Sequence, residues 1–255
     1  MSDSKNILIT LPDGSKRDYE KGVTGSFIAA DISKSLSKKA VAVIVDGKQK
    51  DLCDSIYKDS SISIITIDSN EGVEIMRHTL TAQVLARAVK NIYPETKLAI
   101  GPTIDNGFYY DFLFEKPIST DDFFSIEKEM LNIISTGLCI NKTLMSKKES
   151  IKLFKERNEK YKIEIIQESE QEENFQIYQQ GNTDFIDLCR GPHLPNLKFI
   201  GEFKLTKLAG AYWKGDSKNQ MLQRIYGTAW LNKKDLKQYL TMVEEAEKRD
   251  HRKLG

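Results

Sequence analysis

The sequence is poor in the residues on which many functional sites depend. Among its 255 residues there are three histidines, three cysteines and six prolines. The cysteines are odd in number and widely spaced, which argues against a disulfide framework and fits a reducing compartment. Each should be a buried thiol or a site residue: Cys53, Cys139 and Cys189. Chemistry that needs an imidazole has few candidates: His78, His193 and His251.

Long apolar runs and an excess charge of one sign are also missing. No run approaches the ~20 residues that a membrane-spanning helix needs, and the start MSDSKN is unlike a secretion signal. We therefore expect a cytoplasmic protein without a membrane partner. The 38 Lys and Arg residues balance 37 Asp and Glu residues, so any nucleic acid would have to bind a local basic patch. The length favours two domains rather than one.

Residues 1–69 predict a small domain. Strand, turn and helix signals occur in the order strand, strand, helix, strand, late strand, at residues 7–10, 15–19, 24–36, 40–45 and 61–67. This order resembles the β-grasp domain called TGS. The segment offers no nucleophile, paired base or phosphate-binding glycine loop, so we expect an interaction module without catalysis.

Residues 70–232 predict an α+β domain, because helical and strand patterns are segregated. Helices are expected at residues 73–92, 120–134 and 145–158, and strands at 97–112. Ser146 and Glu149 have the spacing of a capping box at the start of the third helix. Residues 168–174 are polar without periodicity, which indicates a solvated loop. Residues 233–255 predict a long exposed linker helix with Glu245 and Arg249 paired four residues apart.

The segment DLCRGPH, which begins at Asp187, has an unusual density of reactive side chains. A Gly-Pro bend could fold Cys189 and His193 toward one point. There they could ligate a metal, form a nucleophile–base pair or bind a polar substrate. Cys189 taken alone would be interpreted as an inert buried thiol.

Three motifs make the chain similar to a known family. IGPTIDNGFYYDF from Ile100, DLCRGPH from Asp187 and LAGAYWKGDSKNQMLQRIYGTAW from Leu208 resemble the editing domain of threonyl-tRNA synthetases. The TGS-like start and the ending EEAEKRDHRKLG extend the resemblance over nearly the whole chain. It implies hydrolysis of serine wrongly attached to the threonine tRNA. A second sieve is needed there because a methyl-sized difference gives only about 10–200-fold discrimination.

The resemblance also implies the site residues. Those expected to be catalytic are His78, Lys162, Cys189 and His193, and those expected to bind substrate are Gln83, Tyr110, Tyr178, Asp187 and Arg190. The family pattern places Asp187 on the amino group of the seryl ester. It places Tyr110 and Lys162 near the scissile ester and Tyr178 at the pocket wall.

The chain departs from the family pattern in one place. The family carries two histidines four residues apart on a helix, whereas here one residue appears inserted and Gln83 stands where the second histidine belongs. On a regular helix His78 and Gln83 would be about 140° apart and would not share a face. His78 could still reach the pocket from a non-helical start of the helix. Gln83 cannot act as a base, but it can hydrogen-bond a ribose hydroxyl or a water.

A zinc hydrolase is the competing enzyme class, because related alanine-specific editing domains bind zinc through a comparable set of side chains. Only three ligands are present here, so we expect no metal in the chain. We expect no other cofactor either. ATP, magnesium and zinc are implied only for a class II catalytic core, which would begin where the sequence stops.

The resemblance implies the acceptor end of the threonine tRNA as the partner. Five basic residues are candidates to contact its phosphates: Arg190, Lys204, Lys207, Lys214 and Arg224. The chain alone is expected to be a monomer, and the complete synthetase a homodimer. The alternative to an editing hydrolase is an editing-deficient appendage that only binds tRNA, and a solvent-facing His78 would favour it.

Overall fold

The structure, a computed structural model, describes residues 5–253 and contains two five-stranded sheets and a three-stranded sheet. The elements up to residue 66 are β1 Asn6–Thr10, β2 Lys16–Glu20, β3 Val23–Thr24, α1 Gly25–Ile32, α2 Lys34–Lys39, β4 Ala40–Val45, β5 Lys48–Asp51, β6 Ser55–Ile56 and β7 Ser60–Thr66. The first sheet has the order β2-β1-β7-β4-β5, in which β1 and β7 are parallel. This is the β-grasp architecture expected from the sequence, which is therefore confirmed.

Two details of this part differ from the sequence prediction. The helix expected over residues 24–36 is interrupted at Ser33, whose backbone is extended and whose side chain accepts a hydrogen bond from the Leu36 amide to start α2. Strand β5 was not predicted. Its sequence, KQKD, lacks an apolar alternation because β5 is the edge strand and exposes its first three residues to solvent.

The remaining elements form runs of helices and runs of strands. They are α3 Asn70–Thr79, a π-helical turn Leu80–Leu85, α4 Ala86–Ile92, β8 Lys97–Leu98, β9 Thr103–Ile104, β10 Gly107–Leu113, α5 Phe123–Ser135, β11 Ile140–Met145, α6 Lys147–Glu156, α7 Lys160–Glu168, β12 Phe175–Gln180, β13 Ile186–Leu188, β14 Glu202–Tyr212, β15 Met221–Trp230 and α8 Lys233–Lys253. Short 3₁₀ turns occur at Thr120–Asp122, Leu197–Phe199 and Trp213–Gly215.

Two sheets organise this second part. The larger one has the order β14-β15-β10-β8, with β9 paired to β10, and the smaller one has the order β11-β12-β13. The expected α+β class is confirmed. Ser146 and Glu149 form the predicted capping box, and Glu245 lies 3.5 Å from Arg249 on α8. The prediction for Leu254 and Gly255 lies outside the described residues.

The two parts share an apolar core. Val41 and Ala42 of β4 and Ile65 of β7 belong to the same cluster as Met76 and Leu80 of the following helix. Burial of this surface holds the β-grasp part against the second part. None of the described helices is long and apolar enough to cross a membrane.

Candidate functional site

The helix that carries His78 changes its hydrogen bonding inside the site. α3 ends at Thr79, and the next turn, Leu80–Leu85, is π-helical. The Ala86 amide donates to the carbonyl of Thr81, five residues earlier, so this turn holds one residue more than an α-helical turn. The insertion predicted from the family pattern would be accommodated here without breaking the helix.

This π-helical turn corrects two expectations. The helix is not regular between His78 and Gln83, so the separation of about 140° that holds for a regular helix does not apply here. His78 also lies in the last turn of α3 and not at a non-helical start of the helix. A regular-helix calculation fails here because it assumes the hydrogen-bonding pattern that the insertion changes.

His78, Cys189 and His193 form one group, which we name the imidazole cluster. The Nε2 atom of His78 lies 3.0 Å from the Sγ atom of Cys189, and the centroids of the two imidazole rings are 4.6 Å apart. His193 is buried, whereas His78 and Cys189 are partly exposed. The cluster is therefore reached from solvent on the side of His78 and Cys189. The two other cysteines, Cys53 and Cys139, are exposed, so the expectation that each is a buried thiol or a site residue is wrong.

His78 is held as a neutral ring. Burial lowers its pKa below the ordinary value of 6.5, although a hydrogen bond to the Pro192 backbone and the charges of Asp187 and Asp51 oppose this shift. The carbonyl of Pro192 can only accept, so the ring donates to it. A neutral ring that donates through Nδ1 presents the lone pair of Nε2 to the thiol of Cys189.

His193 is oriented by Thr79, a residue that the sequence reasoning did not select. The Thr79 hydroxyl lies 3.0 Å from Nδ1 of His193 and accepts a hydrogen bond from the Leu194 amide. The Nε2 atom of His193 is buried and has no hydrogen-bond partner within the described part of the chain. A buried polar atom in this state indicates a position where a bound molecule can hydrogen-bond.

Gln83 and His193 contact the same face of β12, at neighbouring positions of that face. Gln180 donates to the side-chain oxygen of Gln83 at 3.2 Å, and Tyr178, two residues earlier, contacts the ring of His193 edge-on with centroids 4.5 Å apart. Residues two apart on a strand share a face. Gln83 is fully buried, and among residues 5–253 its Nε2 has no partner. Two unpartnered nitrogens thus lie along one wall of the site.

Asp187, Lys162 and Tyr110 form a second group, which we name the carboxylate cluster. The carboxylate of Asp187 accepts from Lys162 Nζ at 2.9 Å, from the Leu188 amide at 2.8 Å and from the Tyr110 hydroxyl at 3.1 Å. Burial, together with the charge of Asp187, raises the pKa of Tyr110 well above its ordinary value, so the phenol stays protonated and donates. Tyr110 and Lys162, predicted near the scissile ester, and Asp187, predicted on the seryl amino group, lie together, but both Tyr110 and Lys162 are bonded to Asp187.

Asp51, from the end of β5, enters the site from the β-grasp part. Its carboxylate accepts hydrogen bonds from the His193 amide at 2.9 Å and from the Tyr178 hydroxyl at 2.6 Å. Lys142 of β11 lies 2.9 Å from the same carboxylate. Burial and the charge of Asp51 raise the pKa of Tyr178 far above its ordinary value, so Tyr178 is the donor. Sequence reasoning missed both Asp51 and Lys142, since neither β5 nor β11 carries a recognisable site motif.

Glycine is required where the chain passes Tyr178. Gly191 has φ +62°, and a Cβ atom there would lie 2.0 Å from the Tyr178 hydroxyl oxygen. Any larger residue would displace the tyrosine that contacts His193. The Gly-Pro bend predicted from the sequence therefore brings Cys189 and His193 together against Tyr178.

The three donor atoms of the imidazole cluster lie within 4.8 Å of one another and are the only His, Cys, Asp and Glu set of this kind among the described residues. They fit a metal ion poorly. Tetrahedral zinc with ordinary bond lengths separates a ligand nitrogen from a ligand sulfur by about 3.5 Å, whereas His78 Nε2 and Cys189 Sγ are at the hydrogen-bonding distance of 3.0 Å. The group is arranged as a hydrogen-bonded pair with a second imidazole, and the absence of a metal remains a prediction.

The five predicted tRNA contacts are not equivalent. Three of them pair with carboxylates: Lys204 with Glu127, Lys214 with Glu164 and Glu168, and Arg224 with Asp111. Within residues 5–253, neither Arg190 nor Lys207 has an ion-pair partner. Arg190 is exposed and follows Cys189 directly. It is the candidate best placed to meet a phosphate at the open side of the imidazole cluster.

Comparison with known proteins defines the class first. Residues 7–66 match the family model of the TGS domain, and residues 176–226 match that of the threonyl and alanyl tRNA synthetase second additional domain. The chain is thus a TGS domain joined to a domain of tRNA synthetases. The second match contains Tyr178, Asp187, Cys189, Arg190 and His193.

Alignments with individual relatives define the family within this class. The chain is 54% identical over 248 residues to the threonine–tRNA ligase of Hahella chejuensis, and 50% identical over 252 residues to threonine–tRNA ligase 2 of Bacillus subtilis. These alignments cover 97% and 99% of this chain but 38% and 39% of the relatives. The chain belongs to the threonyl-tRNA synthetase family and spans about two fifths of the length of these relatives.

Proposed function

We propose that the chain is the editing module of a threonyl-tRNA synthetase and hydrolyses seryl-tRNA(Thr). The observation that carries this proposal is the imidazole cluster, in which a neutral His78 contacts Cys189 and the unpartnered Nε2 of His193 lies beside them. The partner is the acceptor end of the threonine tRNA. The division into residues 1–69, 70–232 and 233–255, the cytoplasmic location and the monomeric state of the chain belong to the same proposal.

The proposed reaction is attack of water on the ester that joins serine to the terminal ribose. Neutral His78 takes a proton from the water at Nε2, where the water replaces the thiol of Cys189 as the group bonded to this nitrogen, and the water oxygen bonds to the ester carbon. The carbon–oxygen bond to the ribose then breaks, and the proton passes to the ribose oxygen, so serine and free tRNA are released. His193 Nε2 and Gln83 Nε2 are available to hold the reacting groups, and Cys189 holds His78 in place until the water replaces it.

Selection of serine requires a pocket that the methyl group of threonine does not enter. Tyr178 contacts His193, Gln83 contacts the same face of β12, and both side chains are almost completely buried. Close-packed walls of this kind resist rearrangement. Rigid side chains beside the reacting groups are what a second sieve requires, in which the smaller amino acid enters and is hydrolysed.

The alternative is an editing-deficient appendage that binds tRNA without hydrolysing the ester. Gln83 favours it, because an amide has no basic nitrogen and stands where the family has a histidine. The direction of His78 argues against it, since the ring faces Cys189 and His193. We therefore retain hydrolysis as the proposal.

The test measures single-turnover hydrolysis of seryl- and threonyl-tRNA(Thr) by the unmodified chain, by His78→Ala and by Gln83→His. We expect serine-selective hydrolysis that falls about 10²–10⁴-fold in His78→Ala, the range for loss of a general base. His251→Ala, a histidine of α8 outside the site, is the control. Hydrolysis by the unmodified chain at the uncatalysed rate, with a gain in Gln83→His, would contradict the proposal and support the appendage.

A further inference from the structure

Among the described residues of the β-grasp part, only Asp51 has a side chain that hydrogen-bonds to His193. It is 5% exposed, and its carboxylate is shared between the His193 amide and the Tyr178 hydroxyl. The two contacts span 142 and 127 positions of sequence. One side chain therefore fixes two walls of the imidazole cluster relative to each other.

The carboxylate is itself held firmly. Asp51 pairs with Ala42 of β4 in the sheet, and its amide donates to the Asp54 carboxylate at 3.1 Å. On the other side, Lys142 is opposite Tyr178 in the β11–β12 ladder. The β-grasp sheet thus places the carboxylate at a defined position beside β12.

These hydrogen bonds determine the direction of the His193 side chain. A hydrogen bond to its backbone amide fixes the start of the side chain, and Thr79 fixes Nδ1. Tyr178, bonded to the same carboxylate, contacts the ring edge-on at an interplanar angle of 89°. These restraints together direct Nε2 into the site.

We propose that Asp51 is a positioning residue of the hydrolytic site, so that the site is complete only when the β-grasp domain is docked on it. This inference rests on the proposed deacylation. It gives the TGS part a role in editing, which the sequence alone did not indicate. Loss of the carboxylate leaves the reacting side chains present but misdirects His193, and a misplacement of about 1 Å can slow a reaction about 10²-fold.

Asp54 provides a matched comparison. It also pairs with Lys142, but it does not contact His193 or Tyr178 within the described residues. Removing either carboxylate takes one anion from the same lysine at the same junction. Only the loss of Asp51 removes the acceptor for the His193 amide.

The experiment compares the unmodified chain with Asp51→Ala, Asp51→Asn and Asp54→Asn. Single-turnover hydrolysis of seryl-tRNA(Thr) should fall about 10–10²-fold in Asp51→Ala, with tRNA affinity unchanged, and should stay within twofold of the unmodified rate in Asp54→Asn. Asp51→Asn, which retains an oxygen to accept from the His193 amide, should keep more of the rate than Asp51→Ala.

A second measurement does not depend on activity. Hydrogen exchange of the His193 amide, followed by NMR, should become faster in Asp51→Ala and stay unchanged in Asp54→Asn. Equal rates of hydrolysis and exchange in folded Asp51 and Asp54 variants would overturn the inference. If Asp51→Ala does not fold, Asp51→Leu, which also lacks an acceptor for the His193 amide, takes its place under the same criteria. An unmodified chain without hydrolysis would refute the proposed function. An active unmodified chain whose Asp51 variants are as fast as Asp54→Asn would refute only the inference about Asp51.

Discussion

The imidazole cluster and the carboxylate cluster lie beside the same short strands, where Asp187 pairs with Tyr178 in the β12–β13 ladder, and they differ in how fully they are bonded. Asp187, Lys162 and Tyr110 are each at most 3% exposed and bond to one another. The imidazole cluster is partly exposed at His78 and Cys189 and contains a nitrogen of His193 without a partner. The comparison indicates that the first cluster supports the site and that the second is available to react.

The charges of the two clusters are nevertheless linked. Asp187 and Asp51 both raise the pKa of His78 against the larger effect of burial, which lowers it. The carboxylate of Asp187 already accepts three hydrogen bonds, so only one of its roughly four acceptor positions is left for a substrate amino group. Its expected contact with the seryl amino group therefore remains a prediction with limited room.

The largest expected effect is on stability and concerns the carboxylate cluster. Lys162→Met leaves the buried charge of Asp187 without its partner, so the free energy of unfolding should fall by about 3–5 kcal/mol in urea denaturation. Arg249→Gln, which breaks an exposed pair with Glu245, should change it by about 0–1 kcal/mol. A loss in Lys162→Met no larger than in this control would mean that the cluster is not a structural support.

A smaller effect is expected at Thr79, which orients the imidazole cluster. Thr79→Val keeps the shape but leaves the Leu194 amide without its buried acceptor, at a cost of about 1–3 kcal/mol of unfolding free energy. It also leaves Nδ1 of His193 without its partner. The rate of hydrolysis should therefore fall by more than the loss of folded protein accounts for. Thr79→Ser keeps the hydroxyl and should retain both properties. If the Val and Ser variants have equal unfolding free energies and equal rates of hydrolysis, Thr79 does not orient His193.

Sequence patterns predicted the parts of the site that are local in the chain. The Gly-Pro bend in DLCRGPH predicted that Cys189 and His193 lie together, and apolar periodicity predicted the helix that carries His78. The π-helical turn could not be predicted, because side-chain periodicity does not report which carbonyl a backbone amide selects. The strand with Asp51 was missed because an exposed edge strand has no apolar alternation.

Long-range contacts account for the rest. Thr79 and His193 are 114 positions apart, and Asp51 and His193 are 142 apart. Each contact depends on how one part packs on another, and nothing in the neighbouring sequence marks these residues. The same reasoning explains why Lys204, Lys214 and Arg224 looked free, although each pairs with a distant carboxylate.

The pH dependence should sharpen the distinction between the clusters. A base acts in its neutral form, and burial lowers the pKa of His78, so kcat/KM should stay high below pH 6.5 and fall only on further acidification. The same shift makes the folded protein less stable as pH falls through the range below 6.5, because only the unfolded chain then binds the proton. In His78→Gln, the residual kcat/KM should no longer fall on acidification. A fall centred above pH 6.5 would contradict a buried neutral His78.

The smallest expected effect is that of metal removal on the imidazole cluster. Because His78 and Cys189 are at hydrogen-bonding distance and only His193 accompanies them, a zinc-selective chelator should leave the hydrolysis rate unchanged in the presence of magnesium, which keeps the tRNA folded. Elemental analysis should find far less than one zinc per chain. Added zinc should inhibit, since it would occupy the nitrogen that takes the proton from water. Loss of hydrolysis with the chelator, restored by zinc, would instead make this cluster a metal centre and reverse its comparison with the carboxylate cluster.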